Sequence, residues 1–554
     1  MASTSPATGL QEQQHQASRP LSRRPPSVTP LVLHAEDRVC RKTWPRLPRS
    51  RASVPECLPP MPLPRTTADP DESASPAPPH LERLGSTSAF DFWWEQIGSK
   101  VMRMLDDADY SVEARARHEL LLRRYIIPAL GPAPRRHGAD DPKPLADSSS
   151  YARAANLHCG IPIPRFDSFM CDDATPVELG LTWVNGRPNV RIAIEPLDEE
   201  EELLFGNGTL NYRATWRLIH KLEGAGLGDF TLFKKMVAEA TTSSVQEAIA
   251  TKPLGQVAHH NGPQSAIASQ FFIGWDLGHD GSAMIKAYAM PNARASELGV
   301  SNLTVADAAL QAAGLRTCPA WQTLRSYMTG APNSDLDAGL TSLERPELVI
   351  LSVDCLDPIA VRAGQVPRLK VYLRYPTSNF GQIVRHLTTG GRCSDAGSPT
   401  LWRHVLSRAW QHLFDRDSDT HPEFDSTSAL DLTRGTLLYV DFGARRQSEA
   451  LTSKVYLPVR FAAASDERVA DGIERLIHCD DVERGRYAAQ IAALTRRSLQ
   501  NKGIHNYVAL GQKKDGRIDV CSYINPQIFT PRSESWQVPF PNWPLAQQHV
   551  APRR

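Results

Sequence analysis

Residues 368–374 read Arg-Leu-Lys-Val-Tyr-Leu-Arg. Leu369, Val371 and Leu373 alternate with Arg368, Lys370, Tyr372 and Arg374, and a period of two is the signature of a β-strand whose successive side chains point to opposite faces. One face of this strand is apolar. The other is a row of cations and a phenol. Fragments of the same pattern recur in Lys286-Ala287-Tyr288, in Lys454-Val455-Tyr456, and around Arg191 in Val190-Arg191-Ile192-Ala193-Ile194. Lys-x-Tyr repeated on separate strands points to a cationic, aromatic-lined cavity for an anion.

Working outward from this strand, five strand pairs are expected at 177–184 with 189–195, 270–277 with 283–290, 347–354 with 367–375, 436–442 with 453–460, and 505–511 with 517–523. Break signals mark their turns, as in Asn185-Gly186-Arg187-Pro188, Gly278-His279-Asp280-Gly281 and Lys514-Asp515-Gly516. Helical stretches lie before and between them: Phe92–Leu105, Glu113–Ile127, Tyr212–Leu222, Phe230–Ala250, Val305–Ala313, Asp466–Ile477 and Val482–Gln500. The hairpins begin roughly 70 to 90 residues apart, a repeat of helix–strand–strand–helix units with diverged sequences. Ten antiparallel strands tend to curl, and closure removes their edges. The expected fold is therefore α+β, a ten-stranded antiparallel β-barrel of αββα repeats surrounded by helices. The helices cover the apolar outer face, and the cationic face points into a lumen wide enough for a ligand.

The chain has 554 residues, a formal net charge of +1 and 41% hydrophobic residues, enough for a large core. So balanced a charge argues against bulk nucleic-acid binding, which needs a basic footprint. No apolar run approaches the length of a membrane helix, and the first residues lack a secretory core. Nine scattered cysteines without a C-x-x-C pair suit a reduced, cytoplasmic setting. Residues 1–85 hold 16 of the 44 prolines with many Ser and Arg, and are read as a disordered extension. Residues 86–535 are read as the barrel and 536–554 as a tail. A homodimer is compatible with this composition.

The inward set contains Arg191, Lys286, Arg368, Lys370 and Lys454 with Tyr288, Tyr372, Tyr456 and Tyr523. Inward carboxylates are expected to be few, Glu178 being the clearest. A surplus of buried cations invites a multiply charged anion, since an unpaired charge in low dielectric is costly. Phenol faces attract a carbocation, worth about 0.5–2 kcal/mol each. A pocket that grips diphosphate and shields a cation suits ionisation of an allylic diphosphate. A solvent-exposed strand face would carry the same residue types. A triphosphate tunnel would need Glu-x-Glu strand carboxylates for a metal, and none is present on these strands.

The stretch from about 90 to 530 resembles the fungal aromatic prenyltransferases, the dimethylallyltryptophan synthase family. The resemblance rests on Thr175-Pro176-Val177-Glu178-Leu179, Val190-Arg191-Ile192-Ala193-Ile194-Glu195-Pro196, Ile285-Lys286-Ala287-Tyr288, Arg368-Leu369-Lys370-Val371-Tyr372, Lys454-Val455-Tyr456-Leu457-Pro458-Val459 and Ser522-Tyr523, in that order and spacing. It implies transfer of a dimethylallyl group from dimethylallyl diphosphate, as co-substrate, to an indole-containing or other polycyclic aromatic acceptor by electrophilic aromatic substitution. It also implies that Arg191, Lys286, Tyr288, Arg368, Lys370, Tyr372, Lys454, Tyr456 and Tyr523 hold the diphosphate. Glu178 would accept a hydrogen bond from the indole N–H. No cofactor is expected and no metal strictly required, in keeping with the lack of an exact D-D-x-x-D; Asp106-Asp107 and Asp480-Asp481 fail the spacing. The competing reading is a non-catalytic barrel that binds an isoprenoid diphosphate or other phosphorylated ligand, for which Glu178 would serve no purpose.

Three positions depart from the family pattern. The usual basic Lys falls at Ile273, one late Tyr falls at Asp519, and the loop Ala360–Pro367 is long, with no arginine placed for an amino-acid carboxylate. A larger acceptor lacking that carboxylate is expected. Arg374 shares the cationic face but receives no role. The remaining signals are structural: Gly224-Ala225-Gly226-Leu227-Gly228 follows a helix rather than a strand, Asp415–Asp419 lacks the Gly and Glu of a calcium loop, Asp198–Glu202 reads as a helix start, Trp93-Trp94 as packing, and the 17 histidines show no H-E-x-x-H.

Overall fold

The computed structural model describes residues 88–134, 162–199 (apart from 163, 167 and 185), 211–242, 269–330, 346–375, 380–390, 399–415, 436–442, 451–477, 485–512 and 518–529. The segments 1–85 and 536–554 lie outside the described residues. Ten strands form the centre: β1 (Val177–Val184), β2 (Arg187–Ile194), β3 (Phe271–Leu277), β4 (Ala283–Ala289), β5 (Glu347–Cys355), β6 (Leu369–Arg374), β7 (Leu437–Phe442), β8 (Leu451–Leu457), β9 (His505–Gln512) and β10 (Ile518–Ile524). Every neighbouring pair is antiparallel, and the order β1-β10-β9-β8-β7-β6-β5-β4-β3-β2 closes into a barrel. The five expected hairpins are all present, most ends falling within one or two residues.

Both faces of β6 are buried, so the strand is not solvated on its cationic side. Leu369, Val371 and Leu373 belong to the main core outside the barrel, where the helices supply Trp321, Trp402 and Trp410. A fully buried Leu or Val contributes about 1.5–3 kcal/mol, which fixes the outward face and, through the period of two, commits Lys370, Tyr372 and Arg374 to the lumen. The helices follow the expected pattern at Tyr212–Gly224 and Asp466–Ile477. Others, at Pro319–Thr329, Phe380–Leu387 and Pro399–Phe414, are additional to those named from the sequence. Among the described residues no helix is long and apolar enough to cross a membrane.

Three boundaries differ from expectation for local reasons. The helix expected over Phe230–Ala250 runs only from Thr231 to Ala240. Thr241 is extended, and the Gln270 carboxamide clasps Thr242 by accepting from its N–H at 2.8 Å and donating to its carbonyl at 2.9 Å; residues 243–250 lie outside the described set. The helix expected over Val482–Gln500 spans Arg486–Thr495 and ends with Arg496 left-handed at φ 55°. Strand β8 stops at Leu457 because Pro458 cannot donate to the ladder. Val459–Ala462 then forms a helical turn that sets Arg460 across the barrel end.

Candidate active site

The lumen has two chemically distinct ends joined by a belt of tyrosines. At one end the cations come with carboxylates. Arg191 Nη2 donates to Asp276 Oδ2 at 3.0 Å, and its Nε lies 3.0 Å from Oδ1. Lys286 contacts the same aspartate. Arg368 Nε donates to Asp354 Oδ2 at 2.7 Å while its Nη1 reaches Asp441 at 3.3 Å, and Lys370 contacts Asp354 from the other side. Lys454 Nζ donates to Asp519 Oδ2 at 3.0 Å. The pairing register places these groups together: Arg191 opposite Asp276, Lys286 opposite Asp354, and Lys370 opposite Asp441. Lys370 and Lys454 are 3% exposed. Arg368 stands at the mouth with half its side chain in solvent.

This overturns the expectation of few inward carboxylates. Five cations face Asp276, Asp354, Asp441 and Asp519, so the cationic set is nearly neutralised from within. The physical reason is the cost of desolvation: each buried ammonium or guanidinium needs an anion when no ligand is present. Burial by itself would raise the Asp276 carboxyl, but Arg191 and then Lys286 override it and hold it well below the usual range. Asp354 is lowered likewise by Lys370 and Arg368 against burial. Lys286 is pushed down to about 7 by burial and by Arg191. Burial also depresses Lys454, but Asp519 more than offsets it and the ammonium is raised. Among the described residues, no group of three or more His, Cys, Asp or Glu side chains is placed to hold a metal ion.

The belt consists of Tyr288, Tyr372, Tyr439, Tyr456 and Tyr523. Ring centroids lie 6.0 Å apart for Tyr288–Tyr372, 5.5 Å for Tyr372–Tyr439, 5.8 Å for Tyr372–Tyr456 and 5.4 Å for Tyr456–Tyr523. Phe272 stacks on Tyr288 at 4.0 Å. Gly180 lies opposite both Arg191 and Tyr523; a Cβ there would stand 3.1 Å from the Ser522 carbonyl and 3.4 Å from Arg191 Cβ, so the narrow side chain keeps those two residues in place.

Past the belt lies Glu178, half-buried at the other end. Burial raises its carboxyl to about 7, against the lowering effect of a hydrogen bond from Asn506 and the charge of Arg460. Arg460 lies 3.4 Å from Asp172 and 4.8 Å over the Tyr507 ring. Arg374 is buried here too, opposite Glu347, with Tyr507 and Arg460 as electrostatic neighbours. Phe169, Phe272, Met290, Ile350 and Leu437 line this end with apolar surface.

The structure thus brings all ten residues singled out from the sequence into one lumen, nine toward the charged end and belt, with Glu178 apart. Ile273 is a different matter. It is fully buried on the outward face, while Phe272, Gly274 and Asp276 face in. The inward position opposite Lys286 is Gly274, so β3 offers no lysine to the lumen. Asp519, on β10, supplies an anion for Lys454. The sequence reading missed Asp276, Asp354, Asp441, Tyr439, Tyr507, Arg460 and Asn506. The first five sit at inward positions of strands that were correctly located, so extending the alternation from each Lys-x-Tyr to its paired strand would have found them.

The sequence model of the tryptophan dimethylallyltransferase family matches residues 90–528. Among characterised relatives, the chain is 25% identical to 4-O-dimethylallyl-L-tyrosine synthase of Claviceps purpurea over 445 residues, covering 78% of this chain and 87% of the relative. It is 25% identical over 470 residues to xanthone prenyltransferase B of Emericella nidulans, covering 79% and 88%. Among solved structures, NotF in complex with brevianamide F and DMSPP superposes with a TM-score of 0.58 at 17% identity, over 80% of this chain and 96% of that one; at that identity the likeness concerns the fold.

Proposed function

The chain belongs to the tryptophan dimethylallyltransferase family, and from that membership we infer that it is an aromatic prenyltransferase, carrying a dimethylallyl group from dimethylallyl diphosphate to an indole-containing or other polycyclic aromatic acceptor. The observation that carries the site assignment is the polarity of the lumen: a cation–aspartate cluster at one end, a carboxylate near neutrality at the other, and a tyrosine belt between them.

In this reading the diphosphate binds at Arg191, Lys286, Arg368, Lys370 and Lys454, with hydroxyls from Tyr288, Tyr372, Tyr456 and Tyr523. The allylic C–O bond breaks, its electron pair leaving with the diphosphate, and the cations stabilise that charge as it develops. The allyl cation then faces the tyrosine belt, whose ring quadrupoles attract it. An aromatic carbon of the acceptor attacks, and transfer of the ring proton to the released diphosphate restores aromaticity. Glu178 orients the acceptor by accepting from its N–H or O–H. Enclosure by the barrel supplies orientation and keeps water from the cation. In this reading the lysines and arginines turn from their aspartates to the leaving group and neutralise it without a metal, and the buried free thiols of Cys171, Cys318, Cys355 and Cys521 suit a reducing, cytoplasmic setting. The relatives act on tyrosine and xanthone by name, which supports an acceptor set wider than indoles. A storage role leaves Glu178 without purpose.

The test is incubation of the purified protein with dimethylallyl diphosphate and a panel of indoles and phenols, with and without EDTA, followed by mass spectrometry. Gain of one prenyl unit, undiminished by EDTA, is expected. Absence of product with every acceptor overturns the reading, and loss of product in EDTA overturns its metal-free form. Glu178→Gln is expected to reduce kcat/KM for the acceptor about 100-fold or more while leaving dimethylallyl diphosphate affinity within a factor of about two.

A further inference from the structure

Asn506 is fully buried, and its Nδ2 donates to Glu178 Oε1 at 2.9 Å and to Cys171 Sγ at 3.5 Å. Its presence in the lumen is a backbone effect. On β10, Tyr523 pairs with Tyr507 but the next residue, Ile524, pairs with His505, so Asn506 is an extra residue in β9. Such a bulge breaks alternation and re-aims a side chain. Thus His505 turns outward to Asp466 and Tyr487, whereas Asn506 and Tyr507, adjacent in sequence, both address the barrel interior. Asn506 Oδ1 makes no hydrogen bond among the described residues. A buried carboxamide satisfied at one end only costs stability relative to an apolar residue of the same size. Its presence in a bulged position therefore favours a functional reason, and the nearer of the two side chains that its amide holds is Glu178, at 2.9 Å against 3.5 Å for the Cys171 thiol.

We propose that Asn506 is a positioning residue for prenyl transfer: its Nδ2 fixes Oε1 of Glu178, so that Oε2 is the oxygen left to accept from the N–H or O–H of the aromatic acceptor. The inference rests on the acceptor-orienting role assigned to Glu178 above. The charged and titratable groups facing Glu178 are Arg460 and Asp172, with Cys171, Tyr507 and, next to Asp172, Asp173 completing its surroundings. Arg460 favours the carboxylate and Asp172 opposes it, so the carboxamide is the largest stabilising contact on the charged form.

Asn506→Thr and Asn506→Val have nearly the same shape, and only threonine can donate. The measurement is the pH profile of kcat/KM for the acceptor, which reports ionisations of the free enzyme, together with KM for dimethylallyl diphosphate. The valine variant is expected to lose about 10-fold or more in kcat/KM near neutral pH, with its acid limb moved upward, and to leave KM for the diphosphate within about twofold. The threonine variant is expected to keep the limb near its original position. Equal profiles for Thr and Val, with an unmoved limb, overturn the proposal. Should both fold poorly, Asn506→Asp preserves volume and sets a second carboxyl beside Glu178; an unmoved acid limb in that variant overturns it equally, since two close carboxyls cannot ionise independently. Glu178→Gln in the same assay separates the premises: if it changes neither rate nor limb, the role of Glu178 has failed; if it removes the limb while the Asn506 variants leave it in place, only the role of Asn506 has failed.

Discussion

Lys286 joins two pairings that oppose each other. Asp276 holds its ammonium, yet burial and Arg191 depress it to about 7. Near neutral pH the free site is therefore only partly protonated at this residue. A diphosphate placed beside it favours the charged form and raises its pKa, so binding takes up a proton. The sign follows: affinity is greatest below pH 7 and falls as pH rises from 7 toward the pKa of the complex, by at most about tenfold per unit. Calorimetric titration in two buffers of different ionisation enthalpy is expected to show uptake of up to one proton at pH 7.5, and none in Lys286→Met. Lys370 illustrates the other consequence of resident aspartates. From the sequence it is an uncompensated cation whose removal relieves repulsion. In the structure Lys370→Ala strips one of the two partners of Asp354, leaving Arg368. A loss of about 1–3 kcal/mol in urea unfolding is expected, and Asp354→Asn in the same chain recovers most of the stability without restoring diphosphate affinity.

At the scale of elements, the hairpins were legible because outward Leu, Val and Ile alternate with inward polar residues, and the turns carry Gly, Asn and Asp. Helices were legible where apolar residues recur every three to four positions, as in Tyr212–Gly224 and Asp466–Ile477, but Pro319–Thr329, Phe380–Leu387 and Pro399–Phe414 were missed, and so were the helix ends: the stop after Ala240 depends on Gln270, which is 30 residues away in sequence and adjacent only in the fold. The site was legible wherever a cation announced it. It was not legible at Asn506, because a bulge has no signature in this stretch, and a strict alternation puts Asn506 and Tyr507 on opposite faces. Helix packing gives a further prediction. Gly472, in the helix Asp466–Ile477, lies against the helix Pro399–Phe414 so closely that a Cβ would stand 2.5 Å from the His412 carbonyl oxygen. Gly472→Ala gains helix propensity of about 1 kcal/mol but must push the helices apart. A net destabilisation of about 1–3 kcal/mol is expected from overpacking. It reads as a lowered denaturation midpoint with kcat per folded molecule unchanged.

At the scale of the molecule, the barrel closes by pairing β1 with β10, the first strand with the last. No smaller set of strands encloses the lumen, and the closing contact carries a large loop entropy. A chain ending at Gln512 loses Asp519 and Tyr523 and exposes two edges; loss of cooperative unfolding and of diphosphate binding is expected, scored by circular dichroism and calorimetry. The near balance of cations and aspartates across this closed interior bears on turnover. A lumen holding five bare cations would bind inorganic diphosphate as tightly as its ester and stall after one cycle. With the diphosphate held as proposed, each departing product anion gives way to a tethered aspartate, so that release is an exchange of counterions rather than the re-creation of naked charge. On that assignment the four aspartates act as a built-in ejector for the by-product, trading ground-state affinity for the ability to begin again.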